Sequence, residues 1–305
     1  MTEKQAISKS VVITGASSGF GALTARALAD DGHIGNAGMR DLAGEDAAAT
    51  GDDEQYAREH SVALWPLAMD VTDQNMVDAA ISRVLEAVGG TDVVVQNAGH
   101  MVLGPAEAFS VEQVAEVYDV NVLSTQRVNS AALPHRRHRR DGLVIWVGSS
   151  SSRGGTPPYL APYFAAKAAE DALAVSYAAE LARFGIETTI VVPGAFPTGT
   201  NHYVSAGHPI DIAVEEEYEQ LYAGIMEDVP ARQMAMSDAD ADADPAEVAR
   251  QIVRVVNLAK GTRPFRVHID PMHDGDEEAF DLGDRIRRDF FHRIGFDDLL
   301  GPASS

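Results

Sequence analysis

Residues 11–21 read Val-Val-Ile-Thr-Gly-Ala-Ser-Ser-Gly-Phe-Gly. The β-branched run stops at Gly15, and an Ala/Leu-rich stretch, Ala22 to Ala29, begins after Gly21. That pattern reads as strand, glycine turn and helix. Glycines let a backbone come close to a phosphate, and a helix N-terminus supplies free N–H groups and the positive end of its dipole. The spacing is G-x-x-x-G-x-G rather than the G-x-G-x-x-G of many dinucleotide sites. The bland alternative is a glycine turn that only joins a strand to a helix.

Working outward, the same alternation repeats. Strands are expected near 10–14, 34–39, 62–67, 91–96, 143–148, 186–192 and 264–269, and helices near 19–31, 73–88, 111–133, 161–184 and 245–259. Repeated βαβ units mean an α/β protein with a parallel sheet covered on both faces. The second strand is the weakest of these, because Ile34-Gly35-Asn36-Ala37-Gly38 carries two glycines and an asparagine. No internal repeat and no interdomain linker is evident, so one domain is expected.

Residues 163–167 read Tyr-Phe-Ala-Ala-Lys, with Ser149 and Ser150 about one loop upstream. A tyrosine and a lysine four apart on a helix project from one face. A free phenol ionises near pH 10, so it is a poor acid or base at neutrality. A lysine ammonium held against it should pull that value down. A serine hydroxyl at the same spot can hold a carbonyl or alcohol oxygen, which completes a proton-transfer device for an oxygen gaining or losing a hydride. Alone, Y-x-x-x-K is a weak signal; an aromatic core residue beside a solvated lysine gives the same string.

Six motifs in order raise it. Thr14 to Gly21, Asn97-Ala98-Gly99, Asn121, the serines at 149–150, Tyr163 with Lys167, and Pro193-Gly194-Ala195-Phe196-Pro197-Thr198 stand in the order seen in short-chain dehydrogenases/reductases, which the chain resembles over roughly residues 8–200 and more loosely to about 270. The resemblance implies a Rossmann-type, doubly wound sheet of about seven strands in the order 3-2-1-4-5-6-7. The cofactor would lie in the crevice where strand order reverses.

The resemblance also implies roles. Tyr163 would exchange the proton with the substrate oxygen. Lys167 would lower the tyrosine's pKa and hold the nicotinamide ribose. Asn121 would fix a helix backbone and a water leading to the lysine. One serine would orient the substrate oxygen; counting thirteen residues back from Tyr163 gives Ser150, whereas counting along the strand from Gly142 gives Ser149. Gly15, Ser17, Ser18, Gly19, Phe20, Gly21, Asn97, Ala98 and Gly99 would form the phosphate-side wall, and Asp70-Val71 the adenine side, unless Asp70 only caps the next helix. Pro193 and Gly194 would hold the carboxamide through backbone groups, and Thr198 its amide or the pyrophosphate, unless Pro193-Gly194 is only an ordinary turn. Gln96 stands where relatives more often have Asn.

An NAD site usually carries an acid at the end of the second strand, and an NADP site an arginine for the 2′-phosphate. Here the acid position falls on Gly38, and Arg40 matches NADP-type members, with Ser17 also in reach. NADP(H) is favoured; Asp41 next door keeps NAD(H) open.

Composition narrows the classes further. The chain has 305 residues, is 45% hydrophobic and carries net charge −22, from 46 acidic against 24 basic residues. Such acidity makes nucleic acid and anionic membranes poor partners. No apolar run reaches membrane-spanning length and no basic-plus-apolar leader is evident, so a soluble, cytoplasmic protein is expected. Cysteine is absent, which excludes disulfides, thiol nucleophiles and thiolate metal sites. The ten histidines show no ligand spacing, and no metal is expected. The acidic run 237–245 lacks the glycine and terminal glutamate of a calcium loop.

Three segments are less specific. Tyr203, Tyr218, Leu221, Tyr222, Ile225 and Met226 read as one face of a lid within 199–240, over an apolar substrate or docked on the core. The basic run Pro134 to Arg140 reads as a solvated helix end suited to the dipole, or as a surface for an acidic partner. Residues 271–305 read as an extension beyond a domain of 1–270, helical near 277–294, packing on the substrate region or on a second subunit. By resemblance, a homodimer or homotetramer would form through 111–133 and 161–184. The expected activity is NADP(H)-dependent interconversion of a carbonyl and an alcohol. The rivals are an NAD(H)-dependent member, a dinucleotide-binding regulator without turnover, and an enzyme that dehydrates or epimerises an activated sugar. The last usually needs a longer substrate domain than the tail supplies.

Overall fold

The first strand, β1 (Ser10–Ile13), is buried on both faces because helices cover both sides of the sheet it starts. The computed structural model describes residues 8–196, 205–225, 228, 232 and 244–301. Among them, β1 is joined by β2 (Ile34–Met39), β3 (Leu64–Ala68), β4 (Val93–Gln96), β5 (Gly142–Val147), β6 (Ile186–Pro193) and β7 (Arg266–Ile269). The sheet order is β3-β2-β1-β4-β5-β6-β7 and every neighbouring pair is parallel. The order reverses between β1 and β4, which opens the crevice at the strands' carboxyl ends. Both the strand positions and the order match the sequence-based expectation.

The glycine-bearing β2 is an interior strand. It pairs with β1 on one side and β3 on the other, and the Asn36 side chain donates to the Val11 carbonyl at 3.1 Å. Pro66 falls in β3, an edge strand, where a missing N–H is tolerated.

One face of the sheet is covered by α1 (Gly19–Asp30) and α8 (Ala246–Asn257), whose Val248, Ile252, Val255 and Val256 are fully buried. The other is covered by α3 (Gln74–Val88), through Val77, Ile81 and Val84, and by α5 (Ser124–Arg139). Asp73 caps α3, accepting from the N–H groups of Asn75 and Met76. α6 (Ala161–Ala182) carries the Tyr/Lys pair and packs by Ala174 and Leu181 on β5 and β6.

Three readings change. The single helix expected over 111–133 is α4 (Val111–Tyr118), a π turn (Asp119–Leu123) and then α5, which continues through Pro134 to Arg139. The basic run is therefore inside α5 and not all solvated: Arg136 is fully buried, its Nε donating to the Thr91 carbonyl at 3.2 Å. Residues Ala47–His60 form a helix, α2, that the periodicity does not announce; its one buried side chain is Asp53, paired with Arg26 of α1 at 2.8 Å.

α7 (Ile212–Tyr222) lies over the lid segment. Tyr218 and Tyr222 stack on each other and meet Tyr159 edge-on, while Leu221 points outward at 83% exposure, so the expected stripe divides. Tyr203, Met226 and the run 237–243 lie outside the described residues. In the tail, α9 (Asp276–Ile294) anchors by buried Phe280 and by Asp284, which pairs with Arg266 of β7 at 3.0 Å. Phe290 and Ile294 of the same helix are about half exposed. No described helix is long and apolar enough to cross a membrane.

Candidate active site

The loop after β1 turns at Gly15, whose φ of +64° suits glycine and whose Cα faces Ala98 so closely that a Cβ would sit 2.8 Å from the Ala98 Cα. At Gly21, inside α1, a Cβ would lie 2.3 Å from the Gly15 carbonyl. The motif from the end of β4 locks onto this loop. Asn97 donates from Nδ2 to the carbonyls of Thr14 and Gly15 at 2.8 and 3.0 Å, and the Thr14 hydroxyl accepts the N–H groups of Asn97 and Ala98 at 2.9 Å each. Gln96, where an asparagine is commoner, is buried and donates to Asn129 and the Thr125 carbonyl, so its work is structural.

A cavity of about 600 Å³ opens above this loop, lined by Gly15, Ser17, Ser18, Gly19, Phe20, Arg40, Asp70, Val71, Asn97, Ala98 and Gly99. Ser18 is the N-cap of α1, and its side chain makes no bond to the first turn. The cradle a side chain would fill, the exposed helix N-terminus and the volume fit a dinucleotide. Asp70 accepts from the N–H and hydroxyl of Thr72 at 2.8 and 2.7 Å, while Asp73 does the capping. Arg40 reaches the rim, 3.3 Å from Glu45. Asp41 is turned into its own loop, accepting from Gly44 N–H at 2.9 Å. Asp46, which sequence reasoning missed, lines the cavity in its place and accepts the Arg40 N–H at 2.9 Å.

A recess of about 100 Å³ adjoins the cavity and shares Phe20, Asn97, Gly99 and Met101 with it. Tyr163, Lys167, Ser149, Ser150, Pro193 and Gly194 line it. The edge of Phe20 meets Phe196 at 5.3 Å on its wall. Thr198 lies outside the described residues.

Within the recess the two serines separate. The Ser149 side chain is hydrogen bonded to Tyr163, and the Ser151 hydroxyl donates to Ser149 at 2.8 Å. Ser150 is hydrogen bonded instead to Asp274, a tail residue that sequence reasoning did not place here. Burial pushes the Asp274 carboxyl up. Asp270, Asp274 and Asp276 bring carboxylate oxygens within 4.8 Å of one another. Loop donors serve this cluster: Met272 N–H and Asp274 N–H reach Asp270 at 3.0 and 2.7 Å, and His268 meets Asp276 at 2.8 Å.

Asn121 sits in the π turn, fully buried; such single turns cluster at functional sites. Its Nδ2 donates to the carbonyls of Val117 and His100 at 2.8 Å each, and its Oδ1 accepts the His100 N–H at 3.2 Å. The side chain thus ties α4 to the loop after β4.

Tyr163 and Lys167 are both buried. The Lys167 ammonium donates to the Val147 carbonyl at 3.0 Å and to Glu170 at 2.7 Å. Glu170 is 1% exposed and was not foreseen; a glutamate in an Ala-rich helix reads as a solvent-facing residue. Burial pushes the Tyr163 phenol up, Lys167 and Ser149 pull it down, and Glu170 adds to the rise. The net is above the ordinary value, the reverse of the expectation from Lys167 alone. Burial also works against the Lys167 ammonium, but Glu170 and Tyr163 outweigh it and hold it above the usual lysine range.

The model of the short chain dehydrogenase family matches residues 9–209, more than half of the chain. The 3beta-hydroxysteroid dehydrogenase 1 of Eggerthella lenta is 32% identical over 73% of this chain and 84% of its own. A short-chain dehydrogenase from Streptomyces avermitilis superposes with TM-score 0.73 at 26% identity, over 97% of this chain and 98% of that one. An alcohol dehydrogenase from Thermococcus sibiricus, solved with 5-hydroxy-NADP, does so with TM-score 0.66 at 26% identity over 86% and 95%. With its motifs, its strand order and a family match over most of the sheet, this chain belongs to the short-chain dehydrogenases/reductases.

Proposed function

We propose that the chain is an NADP(H)-dependent oxidoreductase that interconverts a carbonyl and an alcohol. The class of reaction follows from membership of the family, whose named relatives include dehydrogenases and reductases. One observation carries the finer reading: Tyr163, Lys167 and Ser149 converge in a recess that adjoins the glycine-loop cavity.

The bound nicotinamide supplies or accepts the hydride. The chain's residues do the rest. The glycine loop and the α1 N-terminus would hold the pyrophosphate, and Pro193 and Gly194 the carboxamide. Ser149 orients the substrate oxygen, and Tyr163 gives it a proton in reduction or takes one in oxidation. Lys167 would hold the ribose, and its ammonium draws the Tyr163 phenol toward ionisation. Phe20, Met101, Leu160, Phe164 and Phe196 make the recess apolar and keep water from the hydride.

Arg40 on the rim, Ser17 and the absence of a side chain at Gly38 support NADP(H); the solved relative with an NADP derivative adds to this. Asp46 is the observation that favours an NAD(H) alternative, since it brings a carboxylate to the cavity beside Arg40. The same reading includes a homodimer or homotetramer through α4–α5 and α6. Exposed Val111 and Leu123 on the first of these support it, and sedimentation would test it.

The test is oxidation of NADPH by a panel of ketones, with Tyr163→Phe beside the wild type. Turnover by the wild type and its loss in the variant are expected. Equal rates in both would overturn the role of Tyr163.

A further inference from the structure

Glu170 stands one turn beyond Lys167 on α6, and its Oε2 lies 2.7 Å from the Lys167 Nζ. The side chains are 1% and 5% exposed, so both charges are out of water. A surface pair of this kind is screened and contributes little. A buried one sets the field felt by every neighbouring group. The neighbour here is Tyr163, on the same helix face four residues before the lysine.

We propose that Glu170 is a positioning residue that masks the charge of Lys167 and so keeps Tyr163 a phenol, the form that donates a proton, on the alkaline side of neutrality. The site is then suited to carbonyl reduction in preference to alcohol oxidation. This rests on the reading of Tyr163 and Lys167 given above and assigns that site a working direction.

Three observations carry it. First, the ammonium divides its donors between Glu170 and the Val147 carbonyl, and both bonds are buried. Second, the Glu170 Oε1 is buried with no hydrogen-bond partner among the described residues, so the carboxylate is held there by the lysine and not by a polar network. Third, the charged groups acting on Glu170 are few. Lys167 favours its ionised form and Asp171 opposes it. Asp171 is itself neutralised by Arg266 of β7 at 2.6 Å. Burial nonetheless pushes the Glu170 carboxyl up to about 7, so the mask is in place on the alkaline side of neutrality and is lifted on the acid side. Alcohol oxidation needs the phenolate as base, and the ionised glutamate opposes it directly.

The test reads the phenol and needs no substrate. Phenolate absorbance is followed as pH rises, and the Tyr163 signal is the difference between each protein and its Tyr163→Phe counterpart. In the wild type, Tyr163 is expected to ionise above the free-tyrosine value. In Glu170→Gln the midpoint should fall by about one pH unit or more, roughly tenfold in the ionisation constant. Glu170→Leu, which fills the space without a charge, should move it the same way. A midpoint unchanged or raised in a folded variant would overturn the proposal. So would a wild-type phenol that ionises below the free-tyrosine value, a reading that stands even if both variants fail to fold. NADPH binding on the same samples separates the two claims. A shifted phenol in a chain that binds no NADPH upholds the mask and sinks the oxidoreductase reading. An unshifted phenol with NADPH bound does the reverse.

Discussion

Ser149 and Tyr163 share a hydrogen bond, while the neighbouring Ser150 is engaged by Asp274 of the C-terminal tail. Two adjacent serines thus have different tasks. One meets Tyr163, and the other ties the loop after β5 to the tail. Ser149→Ala is expected to lower turnover by about 10²-fold, the scale seen for removing one donor to a reacting oxygen. Ser150→Ala should cost far less turnover and show instead in a lower melting temperature. Steady-state rates and thermal melts of the two variants check this; a larger rate loss in Ser150→Ala would reverse the assignment.

Tyr163→Phe keeps the ring in its buried place and removes only the hydroxyl. Turnover is expected to fall by about 10²–10⁴-fold, the usual worth of a positioned acid or base. NADPH affinity should change little, because on the proposed reading the phenol hydroxyl serves the substrate oxygen and not the dinucleotide. Binding and rate measured on one sample check both halves.

Glu170 also gives stability a pH dependence with a definite sign. Burial raises its carboxyl from 4.5 to about 7 in the folded chain. Between those values the folded state holds more protons than the unfolded one, so stability should decline as pH rises through that window. Glu170→Gln has no proton to lose there. Urea unfolding across the window should show a shallower decline in that variant than in the wild type.

Arg136 carries the opposite penalty. It is fully buried, one contact is to the Thr91 carbonyl, and both Nη atoms lack partners among the described residues. Burial lowers its pKa to about 9, with Asp92 opposing and Arg139 adding to the fall, so below that pH the folded state holds a charge that burial disfavours. A buried charge is often replaced by an apolar side chain of similar volume without loss. Arg136→Met is expected to raise the melting temperature by about 2 °C or more, read by calorimetry.

Much of this was legible in the chain. Strand and helix periods placed all seven strands, including the glycine-bearing Ile34–Met39, and the ordered motifs placed the loop, the Asn97 lock and the Tyr/Lys pair. What stayed hidden was burial of charge. α2 buries only Asp53, so its sequence has no apolar stripe to announce a helix. Glu170 and Arg136 look like surface residues because charge in a helix usually is solvated. Their burial comes from neighbours distant in sequence. Asp274 reaches the recess from more than a hundred residues away, a contact that only the tertiary fold creates. The π turn at Asp119–Leu123 leaves no mark in a helical pattern.

The most direct test of the central claim is a titration of the purified protein with NADPH and with NADH, following nicotinamide fluorescence, in the wild type and in Arg40→Ala. The expected result is saturable binding with NADPH preferred, and a loss of about tenfold or more in NADPH affinity in the variant, the scale of one charge-assisted hydrogen bond. A preference for NADH would move the ribose contact to Asp46 and leave the chemistry in place. Binding of neither dinucleotide would contradict the account.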